Sequence, residues 1–507
     1  MASLRSNESS RPSMLPRLGM VGAVVGAGAV YALLGFSSLD EPARRTAAVG
    51  VLMAILWMTE AIPLPATSLI PIALFPLLGV SSIRSATAPY AHELIFLFMG
   101  GFMLALAMEK WGLHKRFSLL IVLMVGVKPR RLIGGFMLAA AILSMWISNT
   151  ATTIMMMPIG VSIITLVESH LRNDPALGDS SQKIIDRFGV CLMLGLAYAA
   201  SIGGVATIIG TPPNIVLVGY LKDSFDITIG FGQWMLIGVP FSAIFLVSAW
   251  LLLTRVLQPV TLKEIPGGRE LIRQELRALG PISRGEWTVF FVFIITASLW
   301  MGRQPLTHWD WLVGVAPIVK NLTDPGIAIA AALALFIIPV DLKKNTFALD
   351  WTTASKLPWG VLLLFGGGLS LAKGVSATGL DQWIGQQAQV AGALPTVVIV
   401  LLIVTMVIFL TELTSNTATT TTFLPILGGV AIGLSLKPTS LVIPATIAAS
   451  CAFMMPVATP PNAIVFGTGR VTIGQMMRAG IVLNFIGIAL ITLLAFTAEK
   501  WALGGLL

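Results

Sequence analysis

One polar hexapeptide occurs twice in this chain, and this duplication constrains the fold more than any other feature. The sequence Ser-Asn-Thr-Ala-Thr-Thr runs from Ser148 to Thr153 and returns from Ser415 to Thr420 (415 − 148 = 267). The same spacing relates further pairs of identical residues: Phe98 and Phe365, Gly101 and Gly368, Gly112 and Gly379, and Pro158 and Pro425. The two halves of the chain are therefore predicted to share one structural unit.

The composition indicates the environment of this unit. Of the 507 residues, 56% are hydrophobic and 11% are charged, whereas about a quarter of the residues of a soluble protein are charged. This predicts an all-α polytopic membrane protein in contact with lipid. The net charge of +9 does not indicate a nucleic-acid partner, because the Lys and Arg residues lie in loops beside apolar spans, as the positive-inside rule expects.

The two hexapeptides are predicted to form the tips of re-entrant helical hairpins. The apolar stretch around the first, residues 132–167, would be roughly 54 Å long as one helix, against a hydrocarbon core of about 30 Å. Two arms that enter and leave on one side fit better, with Ser148-Asn149-Thr150 at the tip. A second hairpin is predicted over residues 394–434. Alternatively, both stretches are interhelical hydrogen-bonding segments, but that role does not require the same six residues twice.

Two further segments interrupt apolar helices. Gly210-Thr211-Pro212-Pro213-Asn214 lies inside the stretch 189–220, and Ala458-Thr459-Pro460-Pro461-Asn462 follows a helix predicted to begin near Leu441. Consecutive prolines remove two backbone donors and unwind a helix, which frees carbonyl oxygens. The two interruptions are predicted to match each other.

The distribution of basic residues predicts the topology. With a cytoplasmic N-terminus, about eleven spans and two hairpins, the basic loops 109–131, 258–286, 341–358 and 470–478 all fall inside. The C-terminus is then periplasmic, and a short surface helix fits residues 112–127. The hairpins open on opposite faces, so the halves are predicted to be inverted repeats.

Inverted repeats with broken helices are typical of secondary transporters, whose substrate lies at the repeat interface. The predicted polar cluster contains no Lys, Arg or His. Helix N-termini and Asn, Ser and Thr donors favour an anion, while free carbonyl oxygens favour a small cation such as sodium. Because burying a dianion without a counter-charge is very costly, bound cations are predicted to assemble the site first.

These motifs resemble those of the divalent anion/sodium symporter family. The resemblance rests on the paired Ser-Asn-Thr and Pro-Pro-Asn motifs and on the segment 98–102, and it covers nearly the whole chain after residue 40. It implies a homodimer that works as an elevator, in which a transport part moves against a scaffold. The scaffold would comprise residues 1–131 and 287–393, the transport part residues 132–257 and 394–507, and the linker residues 258–286.

The resemblance also implies the site residues, matched motif by motif. One sodium site would use Ser144, Ser148, Asn149 and Gly210, and the other would use Thr411, Ser415, Asn416 and Ala458. The substrate would meet Asn149, Thr150, Thr211 and Pro212 on one side and Asn416, Thr417, Thr459 and Pro460 on the other. No organic cofactor is expected.

The function predicted from these features is sodium-coupled symport of C4-dicarboxylates such as succinate, malate or fumarate across a bacterial inner membrane. Exchange of one dicarboxylate for another, or transport of citrate or sulfate, are the alternatives. An enzyme is not expected, because the sequence lacks a nucleophile with a base or a metal set. A channel would not account for paired hairpins.

Two acidic residues invite a functional role. Glu412 lies three residues before Ser415, and either tuning the second cation site or taking up a proton is possible for an intramembrane acid. A structural carboxylate bonded to nearby backbone is the preferred interpretation. Glu60 lies at a helix break near the membrane edge, where a structural hydrogen bond is expected.

Overall fold

The computed structural model describes residues 14–172, 180–262, 264–389 and 394–501. Most of these residues are helical, as the sequence predicts. One loop also contains a two-stranded antiparallel sheet of β1 (Pro339–Asp341) and β2 (Thr346–Phe347). So short a sheet leaves the predicted all-α class unchanged.

The first half of the chain contains twelve α-helices within the described residues. They are α1 (Met14–Leu33), α2 (Glu41–Thr59), α3 (Leu64–Thr67), α4 (Ile70–Leu77), α5 (Ile83–Thr87), α6 (Glu93–Lys110), α7 (Leu113–Val125), α8 (Pro129–Ser144), α9 (Asn149–Arg172), α10 (Ser180–Gly204), α11 (Pro212–Phe225) and α12 (Phe231–Leu251). A π-helical turn, Leu252–Leu257, continues α12.

The predicted linker contains α13 (Gly268–Ala278). The second half comprises α14 (Arg284–Thr307), α15 (Asp310–Val315), α16 (Asp324–Ile337), α17 (Trp351–Ala354), α18 (Trp359–Ala377), α19 (Leu380–Ala388), α20 (Thr396–Thr411), α21 (Asn416–Gly433), α22 (Thr439–Ala449), α23 (Pro460–Phe466) and α24 (Ile473–Trp501).

The boundaries of the scaffold, transport part and linker stay predictions, and each can be located relative to the helices. The boundary after residue 257 coincides with the end of the π-helical turn. The boundary after residue 131 lies inside α8, because Pro129 suits the first turn of a helix and starts it earlier. The boundary after residue 286 lies inside α14, because Ser283 and Glu286 form a capping box. The boundary after residue 393 lies at the edge of a segment outside the described residues.

The helices repeat the spacing seen in the sequence. Helix α8 ends at Ser144 and α20 at Thr411, and each contains 16 residues. Gly112 and Gly379 precede α7 and α19 with φ angles of 71° and 70°, a left-handed conformation that glycine adopts without strain. The predicted short helix over residues 112–127 is therefore confirmed as a separate element, and its counterpart is α19.

Eight helices among the described residues are long and apolar enough to cross a membrane. Four shorter apolar helical segments add to them: Leu64–Leu77, Asp324–Ile337, Thr396–Thr411 and Thr439–Ala449. The chain is thus a multi-pass membrane protein by its helices. The count of eleven spans stays a prediction.

The two halves pack against each other through the helices that follow the motifs. Helix α10 lies against both α8 and α9, where Gly203 meets the backbone of Ala141 with no room for a methyl group. Helix α23 of the second half packs on α9, and α11 of the first half packs on α21. The helices that carry the predicted site residues therefore pack against one another across the two halves.

The loop that contains the small sheet is fastened to the end of α6. Trp111 Nε1 donates a hydrogen bond of 2.7 Å to the carbonyl of Ala348, and Lys110 lies 2.8 Å from Asp350. The hydrogen bonds that Asp350 accepts from Lys110 and from the backbone of Thr353 hold its pKa at about 2. This carboxylate is therefore ionised at neutral pH.

Candidate cation and anion site

The first predicted tip is a helix break between α8 and α9. The Ser144 hydroxyl, at the last residue of α8, donates a hydrogen bond to Oδ1 of Asn149, the first residue of α9. The Ser148 hydroxyl accepts from the backbone of Ala151 at 3.2 Å, as an N-capping residue does. Three of the four predicted ligands of the first sodium site therefore lie within one turn.

The second tip repeats this arrangement. Thr411 Oγ1 lies 2.7 Å from Asn416 Oδ1, which is the same hydroxyl–amide pair one repeat later. The Thr411 hydroxyl also lies 2.8 Å from the carbonyl oxygen of Ala449, at the end of α22. Ser415 is the N-cap residue of α21. The exchange of serine for threonine keeps the hydroxyl in place, as the sequence predicts.

The first interruption brings Gly210 to the first tip. A methyl group added to Gly204 would lie 2.7 Å from Asn149 Oδ1 and 3.1 Å from the Gly210 carbonyl oxygen. These two predicted ligands therefore face one small space beside Gly204. The place of Gly204 next to the predicted ligands emerges only from the tertiary structure.

Asparagines 214 and 462 hold the two interruptions open. Asn214 Nδ2 donates to the carbonyl groups of Gly204 and Thr207 at 3.3 and 2.7 Å. Asn462 Nδ2 donates to Ala452 and Met455 at 3.2 and 3.0 Å. The two acceptors of Asn462 lie at the same spacing from the two acceptors of Asn214 as the asparagines from each other (462 − 214 = 248). The repetition of Pro-Pro-Asn was the signal for these residues, but the site prediction did not include them.

The second interruption is longer than predicted. Helix α10 continues to Gly204, whereas α22 ends at Ala449, three residues earlier at the equivalent spacing (449 − 248 = 201). The expectation that the two breaks match is therefore wrong in length. Ala458 is buried, and its N–H donates to the Met455 carbonyl at 3.2 Å. No described hydrogen bond joins Ala458 to Thr411 or Asn416.

The predicted anion ligands lie at four helix N-termini. Helices α9, α11, α21 and α23 begin at Asn149, Pro212, Asn416 and Pro460. Thr211 is the N-cap of α11 and is buried, and its hydroxyl makes no capping bond. The Thr459 hydroxyl accepts from the N–H of Asn462 at 3.3 Å. Such N-termini favour negative charge.

The remaining predicted anion ligands are the threonines at the tips. Thr417 is buried in the first turn of α21, and Thr150 is half-buried in the first turn of α9. No described hydrogen bond joins the first tip to the second. The two half-sites are instead related by the packing of α23 on α9 and of α11 on α21.

The chemistry of both half-sites rests on neutral oxygen atoms. Among the described residues, no group of three or more His, Cys, Asp and Glu side chains is placed to hold a metal ion. Hydroxyl, amide and carbonyl oxygens suit a hard monovalent cation better than a transition metal. Cys191 and Cys451 are free and buried.

Glu412 is buried beside the second half-site and bonded to backbone. Its carboxylate accepts from the N–H groups of Phe453, Met454 and Met455 at 2.7 to 3.1 Å, and from Asn484 Nδ2 at 2.8 Å. The expected bonding of this carboxylate to nearby backbone is confirmed. The expected bond of Glu60 is wrong: Glu60 is exposed, and no described hydrogen bond includes its side chain, because it ends α2 in a left-handed conformation.

Substitution of Gly204 by alanine tests the small space at the first half-site. The new methyl group would displace Asn149 Oδ1, and we expect the dissociation constant for sodium to rise about tenfold, which equals about 1.4 kcal/mol. Calorimetric titration of the purified protein with sodium measures this constant. Gly189→Ala, in the same helix, is the matched control, because its methyl group would make only ordinary contacts with Ile164. An unchanged sodium dependence in Gly204→Ala would contradict the assignment.

Comparison with known proteins identifies relatives over almost the whole chain. Residues 20–504 match the family model described as the sodium:sulfate symporter transmembrane region. The chain is 42% identical over 469 residues to the sodium-dependent dicarboxylate transporter SdcS of Staphylococcus saprophyticus, covering 92% of this chain and 88% of that protein. It is 41% identical over 476 residues to SdcS of Staphylococcus aureus strain USA300, covering 93% and 89%.

Two solved structures share the fold. The YdaH transporter of Alcanivorax borkumensis superposes with a TM-score of 0.57 at 15% identity, covering 92% of this chain and 100% of that one. MtrF of Neisseria gonorrhoeae superposes with a TM-score of 0.54 at 12% identity, covering 93% and 97%. At such low identity, these similarities concern the fold alone.

Proposed function

Since this chain belongs to the sodium:sulfate symporter family, the divalent anion/sodium symporters, we propose that it couples the transport of a C4-dicarboxylate to sodium ions. Its relatives SdcS are named sodium-dependent dicarboxylate transporters, and the identity extends over more than nine-tenths of this chain. The observation that carries the proposal is the duplicated hydroxyl–amide pair, Ser144 with Asn149 and Thr411 with Asn416.

Charge balance explains why sodium accompanies the substrate. The half-sites offer neutral oxygen atoms and helix N-termini but no basic side chain among the predicted ligands. A dicarboxylate brings two negative charges, and isolated charges of this kind are not stable in a low-dielectric interior. Sodium ions at the two tips supply the missing positive charge. They bind first and complete the anion site between them.

The substrate class follows from the size and chemistry of the ligand sets. Each half presents one threonine at a tip, Thr150 or Thr417, and one at an interruption, Thr211 or Thr459. Two such sets, one from each half, match the two carboxylates of a C4-dicarboxylate such as succinate. Sulfate and citrate are the competing substrates, and competition against succinate uptake separates them.

We place the protein in the bacterial inner membrane as a homodimer that works by an elevator movement. In this proposal, α8–α12 and α20–α24 move against the other helices. The elevator boundary is crossed by the ion pair of Lys222 with Glu93 and by His92, whose Nε2 lies 3.0 Å from Asp223. These contacts join α6 to α11 and must break when the transport part moves.

The decisive experiment is uptake of labelled succinate into proteoliposomes with sodium, potassium, lithium or choline outside. We expect uptake in sodium to exceed uptake in choline at least tenfold. Equal accumulation in both would contradict the proposal. Counterflow that proceeds without any sodium would favour the rival function, exchange of one dicarboxylate for another.

A further inference from the structure

We propose that Glu412 is a positioning residue that shapes the second cation site and gives it a fixed negative charge that the first site lacks. The inference rests on the proposed sodium coupling and deepens it. It assigns different sodium affinities to the two cation sites, although the sequence repeat alone would predict equal ones. The second site, at Thr411 and Asn416, then has the higher affinity for sodium and fills first.

The first step concerns the end of α22. In a continuous helix, the N–H groups of Phe453, Met454 and Met455 would bond to carbonyl groups four residues earlier. Here α22 ends at Ala449, and all three N–H groups donate to the Glu412 carboxylate instead. The carboxylate therefore takes the place of one helical turn. This explains why the second interruption is longer than the first.

The second step concerns the backbone carbonyl oxygen that is left free because Glu412 replaces it as the hydrogen-bond acceptor. The Ala449 carbonyl, which a longer helix would use, lies 2.8 Å from Thr411 Oγ1, and Asn416 Oδ1 lies 2.7 Å from the same hydroxyl. One hydroxyl proton can satisfy only one of two acceptors. Three oxygen atoms with a single proton among them form a natural set of cation ligands. The Ala449 carbonyl is thereby a further ligand candidate.

The third step concerns charge. Both carboxylate oxygens of Glu412 accept from N–H donors, and no Lys, Arg or His among the described residues pairs with it. The Glu412 carboxylate binds the interruption that begins after Ala449, and the Ala449 carbonyl in turn faces Thr411, so the negative charge and the second cluster lie at the same break in α22. Opposite charges attract strongly in a partly buried site. A sodium ion at Thr411 and Asn416 is thus stabilised by this carboxylate.

The first half has no equivalent of this charge. The position equivalent to Glu412 is Met145, one repeat earlier (412 − 267 = 145). Its backbone carbonyl accepts from the hydroxyl of Thr207, which is the equivalent of Met455 (455 − 248 = 207). The same junction is therefore made in both halves, but by a neutral pair in the first and by a carboxylate in the second.

The test begins with Glu412→Gln in purified protein reconstituted into liposomes. We expect the sodium concentration for half-maximal succinate uptake to rise about tenfold, while the KM for succinate at saturating sodium stays within about twofold. Glu270→Gln, an exposed carboxylate paired with Arg277, is the matched control and is expected to keep the wild-type sodium dependence. An unchanged half-saturating sodium concentration in Glu412→Gln overturns the inference.

A second variant separates charge from folding. In Glu412→Gln with Asn484→Asp, the carboxylate returns to the same junction from α24, and we expect the half-saturating sodium concentration to recover to within about threefold of wild type. A folded double variant with no recovery overturns the role of charge, whether or not the single variant folds. Succinate uptake by the wild-type protein that does not depend on the sodium concentration would instead overturn the proposed function itself.

Discussion

Replacement of either Asn149 or Asn416 by alanine is expected to reduce sodium-driven accumulation of succinate by at least about a hundredfold. Each asparagine supplies the amide oxygen that faces the hydroxyl of Ser144 or Thr411. Each is also the first residue of a helix whose N-terminus is proposed to face the anion. Loss of a cation ligand is expected to cost about 3 kcal/mol, or about two decades in affinity. In Asn149→Ala, the buried Ser144 hydroxyl also loses the hydrogen bond that it donates to Asn149.

The measurement is uptake of labelled succinate at several sodium concentrations, with the amount of reconstituted protein determined in each preparation. Asn321→Ala provides the control, because Asn321 is exposed in a short turn far along the chain from both motifs. Since both clusters are proposed to bind the coupling sodium ions, each variant alone must lose sodium-driven accumulation of succinate. Accumulation within about twofold of wild type in either variant would mean that the cluster in that half does not bind the coupling ion.

The second large effect is expected at a buried ion pair outside the site. Arg116 of α7 and Glu286 of α14 are both almost fully buried, and Arg116 Nε lies 2.6 Å from Glu286 Oε1. Arg116 also donates to the carbonyl of Gly280, and Glu286 caps α14 together with Ser283. Removal of one partner leaves an uncompensated buried charge. We expect Glu286→Ala to lower the free energy of unfolding by about 3–5 kcal/mol.

Thermal unfolding of the detergent-solubilised protein measures this loss. Glu270→Ala is the matched control, because Glu270 and Arg277 form an exposed pair for which about 0–1 kcal/mol is expected. The double variant Arg116→Leu with Glu286→Gln removes the charge and keeps a capping side chain, so it is expected to regain part of the stability. Equal midpoints for Glu286→Ala and Glu270→Ala would show that the buried pair contributes no more than an exposed one.

Much of the site could be predicted from the sequence because its causes are local. Consecutive prolines cannot continue a helix, so the starts of α11 and α23 at Pro212 and Pro460 follow from residue type. The Ser-Asn-Thr tips follow from polar side chains that favour helix N-termini. The hydrogen bonds of Ser144 with Asn149 and of Thr411 with Asn416 join residues that the family resemblance implied as ligands of one site.

The tertiary structure alone decided what distinguishes the two halves. Where α22 ends depends on which acceptor meets the N–H groups of residues 453–455, and that acceptor, Glu412, lies 41 residues earlier in the chain. The place of Gly204 beside Asn149 likewise depends on how α10 packs against the first tip. The sequence determined where helices must break, because backbone chemistry is local. Only the folded chain determined how far each break extends and which charge lies beside it, because hydrogen-bond partners distant in sequence compete for the same backbone groups.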